Sequence, residues 1–257
     1  MSEFFFESSA RSALGLVRSG NEDSAYVSGS LIAVADGMGG HAGGEVASKI
    51  AIRVMQSLTP MLTDTAIDLD SREDLLLNSL HTIDAQLNDY AHESAELHGM
   101  GTTLTILLSQ NGIIALVHVG DSRCYRLRAN TFEQLSVDHT VVQELLDKGA
   151  ISAIDVITHP QRSVLTQALM GEGTVIPLMN IYDAKEGDRY LLCSDGLTSV
   201  LTDKEIKSLL KKSDKDSAVK ALIDAAYIQG APDNVTVIIA DVTSNKITSD
   251  FVLGAAL

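Results

Sequence analysis

The chain has 257 residues, 45% of them hydrophobic and 21% charged, an ordinary globular balance with length enough for a sizeable core. A net charge of −15 argues against nucleic acid as a partner, because gripping a phosphate backbone needs clustered Lys and Arg. With no Trp and only 4% aromatic residues, base-stacking surfaces are excluded as well.

No Pro/Gly/Ser linker and no internal repeat divides the chain, so one domain is expected over residues 1–242, with a tail at 243–257. Cys124 and Cys193 lie far apart inside apolar runs, which suits two buried thiols in a reducing compartment. Phe4, Phe5 and Phe6 make too short a run for a signal peptide, and no run approaches the ~18 apolar residues of a membrane helix. The apolar end, FVLGAAL, reads as a frayed tail or as a cut in a longer protein. A cytoplasmic location follows, either for the chain itself or for the cytosolic part of a membrane-anchored protein.

In chain order, residues 10–36 give three short strand-like runs, with the turn-rich connection GLVRSGNED between the first two. Two long helical patterns follow: 45–58, with Val46, Ile50, Val54 and Leu58 on one face, and 72–97, with Leu76, Leu80, Ile83, Leu87 and Tyr90. Strands are expected at 102–109, 113–119 and 122–128, the first two joined by a turn at Gln110-Asn111-Gly112. A helix at 140–148 ends at Gly149, and 150–174 reads as loop. Strands resume at 175–183 and 190–193; helices at 203–211 and 215–228 precede a last strand at 235–242. Strands interleaved with helix pairs, without strict βαβ alternation, argue for an α+β fold of antiparallel sheets covered by helices.

The stretch LIAVADGMGGHAGGE organises the chemistry. An apolar strand ends in Asp36-Gly37, and the glycine-rich backbone beyond is free to offer its own oxygens to a ligand. The device recurs: apolar runs lead into Asp121 and into Asp195, and Asp233 opens an apolar strand. Any one Asp-Gly is simply a favoured turn. Acids that converge from several strand ends must raise one another's pKa unless a cation neutralises them. All-oxygen ligands without Cys or His point to Mg2+ or Mn2+ rather than Zn2+. Arg18, in the loop leading to Glu22 and Asp23, is placed for a bidentate phosphate grip, against the ordinary fate of a surface arginine. His41 is a metal ligand, a general acid, or a loop histidine without a task.

Rival motifs fail. The glycine run lacks the Gly-Lys-Ser/Thr of a phosphate loop and the G-x-G-x-x-G spacing of a dinucleotide site. Asn130 and Ser199 stand where a cysteine phosphatase would carry arginine six residues beyond its nucleophile. Asp68-Leu69-Asp70 superficially resembles a phospho-aspartate motif, but no buried strand precedes it.

Eight ordered motifs, GLVRSGNED, VADGMGGHAGGEVAS, MGTTLT, VGDSRCYR, LSVDHT, THPQRSVLTQAL, LLCSDGLT and APDNVTVI, together resemble the metal-dependent type 2C serine/threonine protein phosphatases, in particular the compact bacterial kind. The resemblance runs from about Gly15 to Ala240. It implies a four-layer α-β-β-α sandwich of two antiparallel sheets flanked by helix pairs. It also implies hydrolysis of phosphoserine and phosphothreonine on proteins by a hydroxide held between metals, reversing a serine/threonine kinase. By the family pattern Asp36 bridges two tightly bound Mn2+ or Mg2+ ions and the Gly37 carbonyl binds the second. Asp195 and Asp233 complete the first, while Glu22 and Asp23 serve the metal-bound waters. Arg18 takes the substrate phosphate and His41 donates a proton. Asp121 and Asp195 bind a third, weaker metal, and residues 145–170 form a flap beside the cleft. Phosphorylated proteins, substrates of a kinase, and the kinase itself are the implied partners of a monomer.

The chain departs from the pattern in three places: Ser152–Ile157 replaces an acidic pair in the flap, Ala13 stands at a common aspartate, and Pro177-Leu178-Met179-Asn180 replaces a common Pro-Asp pair. None is a metal position; they bear on flap behaviour and substrate preference. Two other classes share these motifs: a phosphopeptide-binding module without turnover, which the complete set of acids argues against, and a domain that uses metals only for stability.

Overall fold

Why the apolar runs are continuous rather than alternating becomes plain in the computed structural model, which describes residues 3–40, 42–64, 67–176, 178–212 and 214–257. Its strands form two stacked antiparallel sheets, each covered on its outer face by helices, so both faces of a central strand are dry. The first sheet carries, in spatial order, β1 (Phe5–Ala13), β11 (Val235–Thr243), β10 (Arg189–Cys193), β7 (Arg123–Arg128) and β8 (Thr131–Gln134). The second carries β12 (Phe251–Gly254), β2 (Asp23–Val27), β3 (Leu31–Met38), β5 (Leu104–Gln110), β6 (Ile113–Val119) and β9 (Met179–Asp183). The two-residue strand β4 (Gly101–Thr102) pairs with the end of β3.

Helices α1 (Gly43–Leu62) and α2 (Leu69–Glu93) cover the second sheet; α5 (Asp195–Thr198), α6 (Asp203–Leu210) and α7 (Lys215–Ile228) cover the first. Two short helices, α3 (Val141–Asp147) and α4 (Ala153–Thr158), lie in the excursion between β8 and β9. Three apolar layers result. Strand β3 shows how: Leu31, Ala33 and Ala35 face α1 and α2, with Met55, Leu76 and Ile83. Ile32 and Val34, one residue out of phase, face the other sheet, with Phe6, Tyr190, Leu192 and Ile238. The third layer joins Leu191 and Val237 to Ile206 and Leu222. This is the four-layer α-β-β-α sandwich that the resemblance implies.

Several boundaries differ from the sequence reading. Strand β8 does not show in the sequence pattern; it is a four-residue edge strand whose single apolar residue, Phe132, stacks on Tyr125. Helix α4 interrupts the expected loop at 150–174, its start fixed by a capping box between Ser152 and Asp155. The strand expected over 175–183 pairs only from Met179. The chain's end does not fray: Phe251–Gly254 adds an edge strand beside β2. Asp68 is a helix cap, its carboxylate accepting from Ser71 N at 2.8 Å at the start of α2. Cys124 and Cys193 are buried and unpaired, as read from their apolar surroundings. Among the described residues no helix is long and apolar enough to cross a membrane.

Candidate metal and phosphate site

The antiparallel registers bring one end of many strands to the same rim of the sandwich. Asp23 opens β2 and stands opposite Asp36, near the end of β3. Glu22 immediately precedes β2, Asp121 follows β6, Asp195 follows β10, and Asp233 lies just before β11. Six acids from five separate places in the chain thus share one end of the fold. Asp36 is not at a strand tip, as the sequence suggested, but inside β3, which continues to Met38 through its pairing with β4.

The scaffold beneath them is made of small polar groups. The backbone of Asp36 is held on both sides: its N–H donates to Thr103 Oγ1 at 3.0 Å, and its carbonyl accepts from Thr103 N at 2.9 Å and Thr102 Oγ1 at 3.0 Å. Gly37 N donates to the Glu22 carbonyl at 3.1 Å. A Cβ on Gly37 would stand 1.9 Å from the Gly44 carbonyl oxygen, so the α1 amino end can approach β3 only over glycine. Asn234 ties three segments together, accepting from Glu22 N at 2.8 Å and donating to the carbonyls of Leu14 (2.8 Å) and Gly20 (3.0 Å). Ser194 Oγ donates to Asp23 Oδ2 at 2.7 Å and accepts from Thr236 N at 3.0 Å. Asn234, Ser194, Thr102 and Thr103 were not singled out from sequence; the signal available was their place inside or beside the quoted motifs.

Electrostatically the cluster is overloaded with negative charge. Burial first, then the charges of Asp23, Asp195, Asp121 and Asp233, holds the Asp36 carboxyl well above the usual range. Burial and the neighbouring acids push Asp23 and Asp121 up to about 7. Asp195 is raised by burial and by Asp233, an effect partly offset by a hydrogen bond with Asp36. Glu22 is raised chiefly by burial, with Arg18 opposing. Arg18 balances part of this charge, with its Nη2 2.6 Å from Asp233 Oδ2 and its Nη1 4.0 Å from Glu22.

Among the described residues no three acidic, imidazole or thiol groups already converge on one point. The reason is visible in the partners: Asp233 is turned to Arg18 and Asp23 to Ser194. The donor set nevertheless fits divalent cations. It is all oxygen and largely buried, and the gathered acids raise the pKa of Asp23, Asp36, Asp121 and Asp195, so positive charge is what the site needs. His41 lies outside the described residues. A cleft of about 700 Å3 opens next to the acids, with Asp121 and Asp195 on one side and Val142, Leu146, Val156 and Arg162 from 141–164 on the other.

A four-layer sandwich with acids gathered at one end and an arginine at their rim is an architecture for oxygen-bound cations and phosphate. The chain belongs to the protein phosphatase 2C family, whose description matches residues 20–225. It is 43% identical over 234 residues to the serine/threonine protein phosphatase PstP of Mycobacterium tuberculosis, covering 91% of this chain but 44% of that protein. It is 36% identical over 241 residues to the serine/threonine phosphatase Stp of Listeria welshimeri, covering 90% of this chain and 94% of the relative. Among solved structures, that of M. tuberculosis PstP superposes with a TM-score of 0.85 at 41% identity, covering 92% of this chain and 98% of that one. A structure of the PstP catalytic domain in complex with two manganese ions gives the same TM-score of 0.85 at 39% identity, with 93% and 99% covered.

Proposed function

We propose that this chain hydrolyses phosphoserine and phosphothreonine monoesters on proteins, reversing a serine/threonine kinase, with Mn2+ or Mg2+ as its cofactor. The observation that carries this reading is the rim of six acids, Glu22, Asp23, Asp36, Asp121, Asp195 and Asp233, gathered beside Arg18, with Asp23, Asp36, Asp121 and Asp195 raised by burial and by the neighbouring acids. Asp36, the Gly37 carbonyl, Asp195 and Asp233 are the residues to hold two cations, with Glu22 and Asp23 supporting the waters around them. Asp121 with Asp195 would hold a third, weaker one. Bound there, such cations supply a nucleophilic water near neutral pH and neutralise phosphoryl oxygen charge. The two manganese ions of the PstP catalytic domain support the assignment.

The chain's own residues do the rest. Arg18 is at the rim and half-exposed; to grip a substrate phosphate it exchanges its hydrogen bond to Asp233 for the phosphate oxygens. His41 is assigned as the proton donor to the departing serine or threonine oxygen, which is a poor leaving group without one. The thiols take no part: burial pushes Cys193 up to about 12 and Cys124 higher still, so neither offers a thiolate. The region around 145–170, with α3 and α4, forms the flap, and the adjoining cleft receives the peptide on either side of the phosphorylated residue. Residues 1–242 carry the catalytic residues, and 243–257 complete the same domain by adding β12 beside β2. Its partners are phosphoproteins, the opposing kinase among them, and it works as a monomer on the cytoplasmic side, by itself or within a longer protein.

Phosphate release from a phosphoserine peptide tests the reading. Turnover in Mn2+, abolished by a chelator and restored by added Mn2+, is expected. A protein that binds the peptide without releasing phosphate would be the binding module instead.

A further inference from the structure

Asp84 sits in the middle of α2, 6% exposed, on the same helix as the core residues Leu80, Ile83 and Leu87. A carboxylate in that layer is costly unless its oxygens are satisfied. They are satisfied by a single turn of distant backbone. Asp84 Oδ1 accepts from Met170 N at 3.1 Å and from Gly171 N at 2.7 Å, and Oδ2 accepts from Gly173 N. One helical turn on, Asn88 Nδ2 donates to the Gly171 carbonyl at 2.8 Å. Gly171 and Gly173 adopt φ of +78° and +65°, which lets the turn curl around the carboxylate.

The anchored turn is continuous with the site. Leu169 exchanges two backbone hydrogen bonds with Thr102, at 2.9 and 3.0 Å, and Thr102 Oγ1 donates to the Asp36 carbonyl. On its other side the same excursion is closed by a stem: Val141 N donates to the Val164 carbonyl at 2.9 Å, and Thr166 N to the His139 carbonyl at 2.8 Å. His139 in turn exchanges hydrogen bonds with Gly120, the residue before Asp121, at 2.8 and 3.1 Å. Residues 141–164 therefore hang from a stem, and the chain leaving that stem is gripped by α2.

We propose that Asp84 is a positioning residue: by holding the turn at 170–173 it fixes the segment 141–164, and with it one wall of the cleft, relative to the acids. The proposal rests on the phosphatase reading for its substrate. Asp36 has its own supports in β3 and Thr103, so loosening the anchor disturbs the wall of the cleft rather than the acids. A peptide substrate that reaches the wall feels the change; p-nitrophenyl phosphate, which lacks flanking residues, does not.

The test compares wild type with Asp84→Asn, which keeps the shape but presents an amide to backbone N–H groups, and with the milder Asn88→Ala at an exposed position. Working well below the melting temperature, kcat/KM is measured for a phosphoserine peptide and for p-nitrophenyl phosphate, and trypsin cleavage is followed after Lys148 and Arg162. Loss on the peptide on the order of tenfold, with p-nitrophenyl phosphate within about twofold, is expected from misplacing a positioning element. Cleavage at both sites should accelerate, more in Asp84→Asn than in Asn88→Ala. Equal losses on both substrates, or unchanged cleavage in both variants, would overturn the proposal. Cleavage rates report on the anchor even where turnover is absent, so failure of the anchor and failure of the phosphatase reading are told apart.

Discussion

Replacing Asp36 by Asn should move activity and stability in opposite directions. The carboxyl is buried among Asp23, Asp195, Asp121 and Asp233, all of which raise its pKa. Without a cation its charged form is therefore disfavoured in the folded chain relative to the unfolded one. At pH 7 a carboxylate held among like charges in this way costs folding about 2 kcal/mol. Asn is neutral and nearly isosteric, so it removes this cost. In a chelator at pH 7, the melting temperature of the variant should rise by roughly 4–8 °C, given about 2–4 °C per kcal/mol for a chain of this size. Turnover should fall by on the order of 10³-fold or more, since the residue assigned to two cations has lost its charge. Calorimetric titration should lose the tight Mn2+ sites. Thermal melts with and without chelator, beside phosphate release, make the assay. A variant that melts lower in chelator, or that turns over like wild type, would refute the reasoning.

Other outcomes follow from the same cluster. Asp23 and Asp121, raised from 3.8 to about 7, hold more protons in the folded than in the unfolded chain across that window. Metal-free protein should therefore lose stability as pH rises from about 4 to about 7, and Mn2+ should flatten the profile; a melting temperature that climbs through that window in chelator would contradict it. Asp121→Ala should keep the tight Mn2+ sites in calorimetry yet lower peptide turnover by on the order of tenfold, and an unaltered rate would reject a third site there. His41→Ala should cost phosphoserine peptide hydrolysis ~10²–10⁴-fold and p-nitrophenyl phosphate far less, because nitrophenolate departs without a proton; equal losses on both would reject the proton donor.

The framework of the fold was legible because its strands are buried on both faces and its helices carry clear apolar stripes. The run 113–119 is β6 to the residue, and Leu76, Leu80, Ile83 and Leu87 all enter the core from α2. What escaped was short, polar and at an edge. Strand β8 has no apolar alternation, and the apolar end at 251–254 became an edge strand only through backbone pairing with β2, which no side-chain period announces. Helix α4 was legible in principle from Ser152 and Asp155, three residues apart, but its described side chains are mostly exposed and show no stripe. At the site, Asp36, Asp121, Asp195 and Asp233 stood out because each ends or opens an apolar run, whereas Glu22 and Asp23 entered with the family resemblance. Their supports did not: Asn234, Ser194 and Thr103 act through single hydrogen bonds to segments distant in the chain. The turn around Asp84 was equally hidden, since a lone acid on a helix reads as solvent-facing until the backbone of 170–173 is seen folded onto it.

The most direct measurement of the central claim is anomalous scattering from manganese in crystals grown with Mn2+. Two strong peaks beside the Asp36 carboxylate are expected, one near Asp195 and Asp233 and the other near the Gly37 carbonyl, with both lost in Asp36→Asn. Manganese bound elsewhere, or peaks that persist unchanged in that variant, would contradict it.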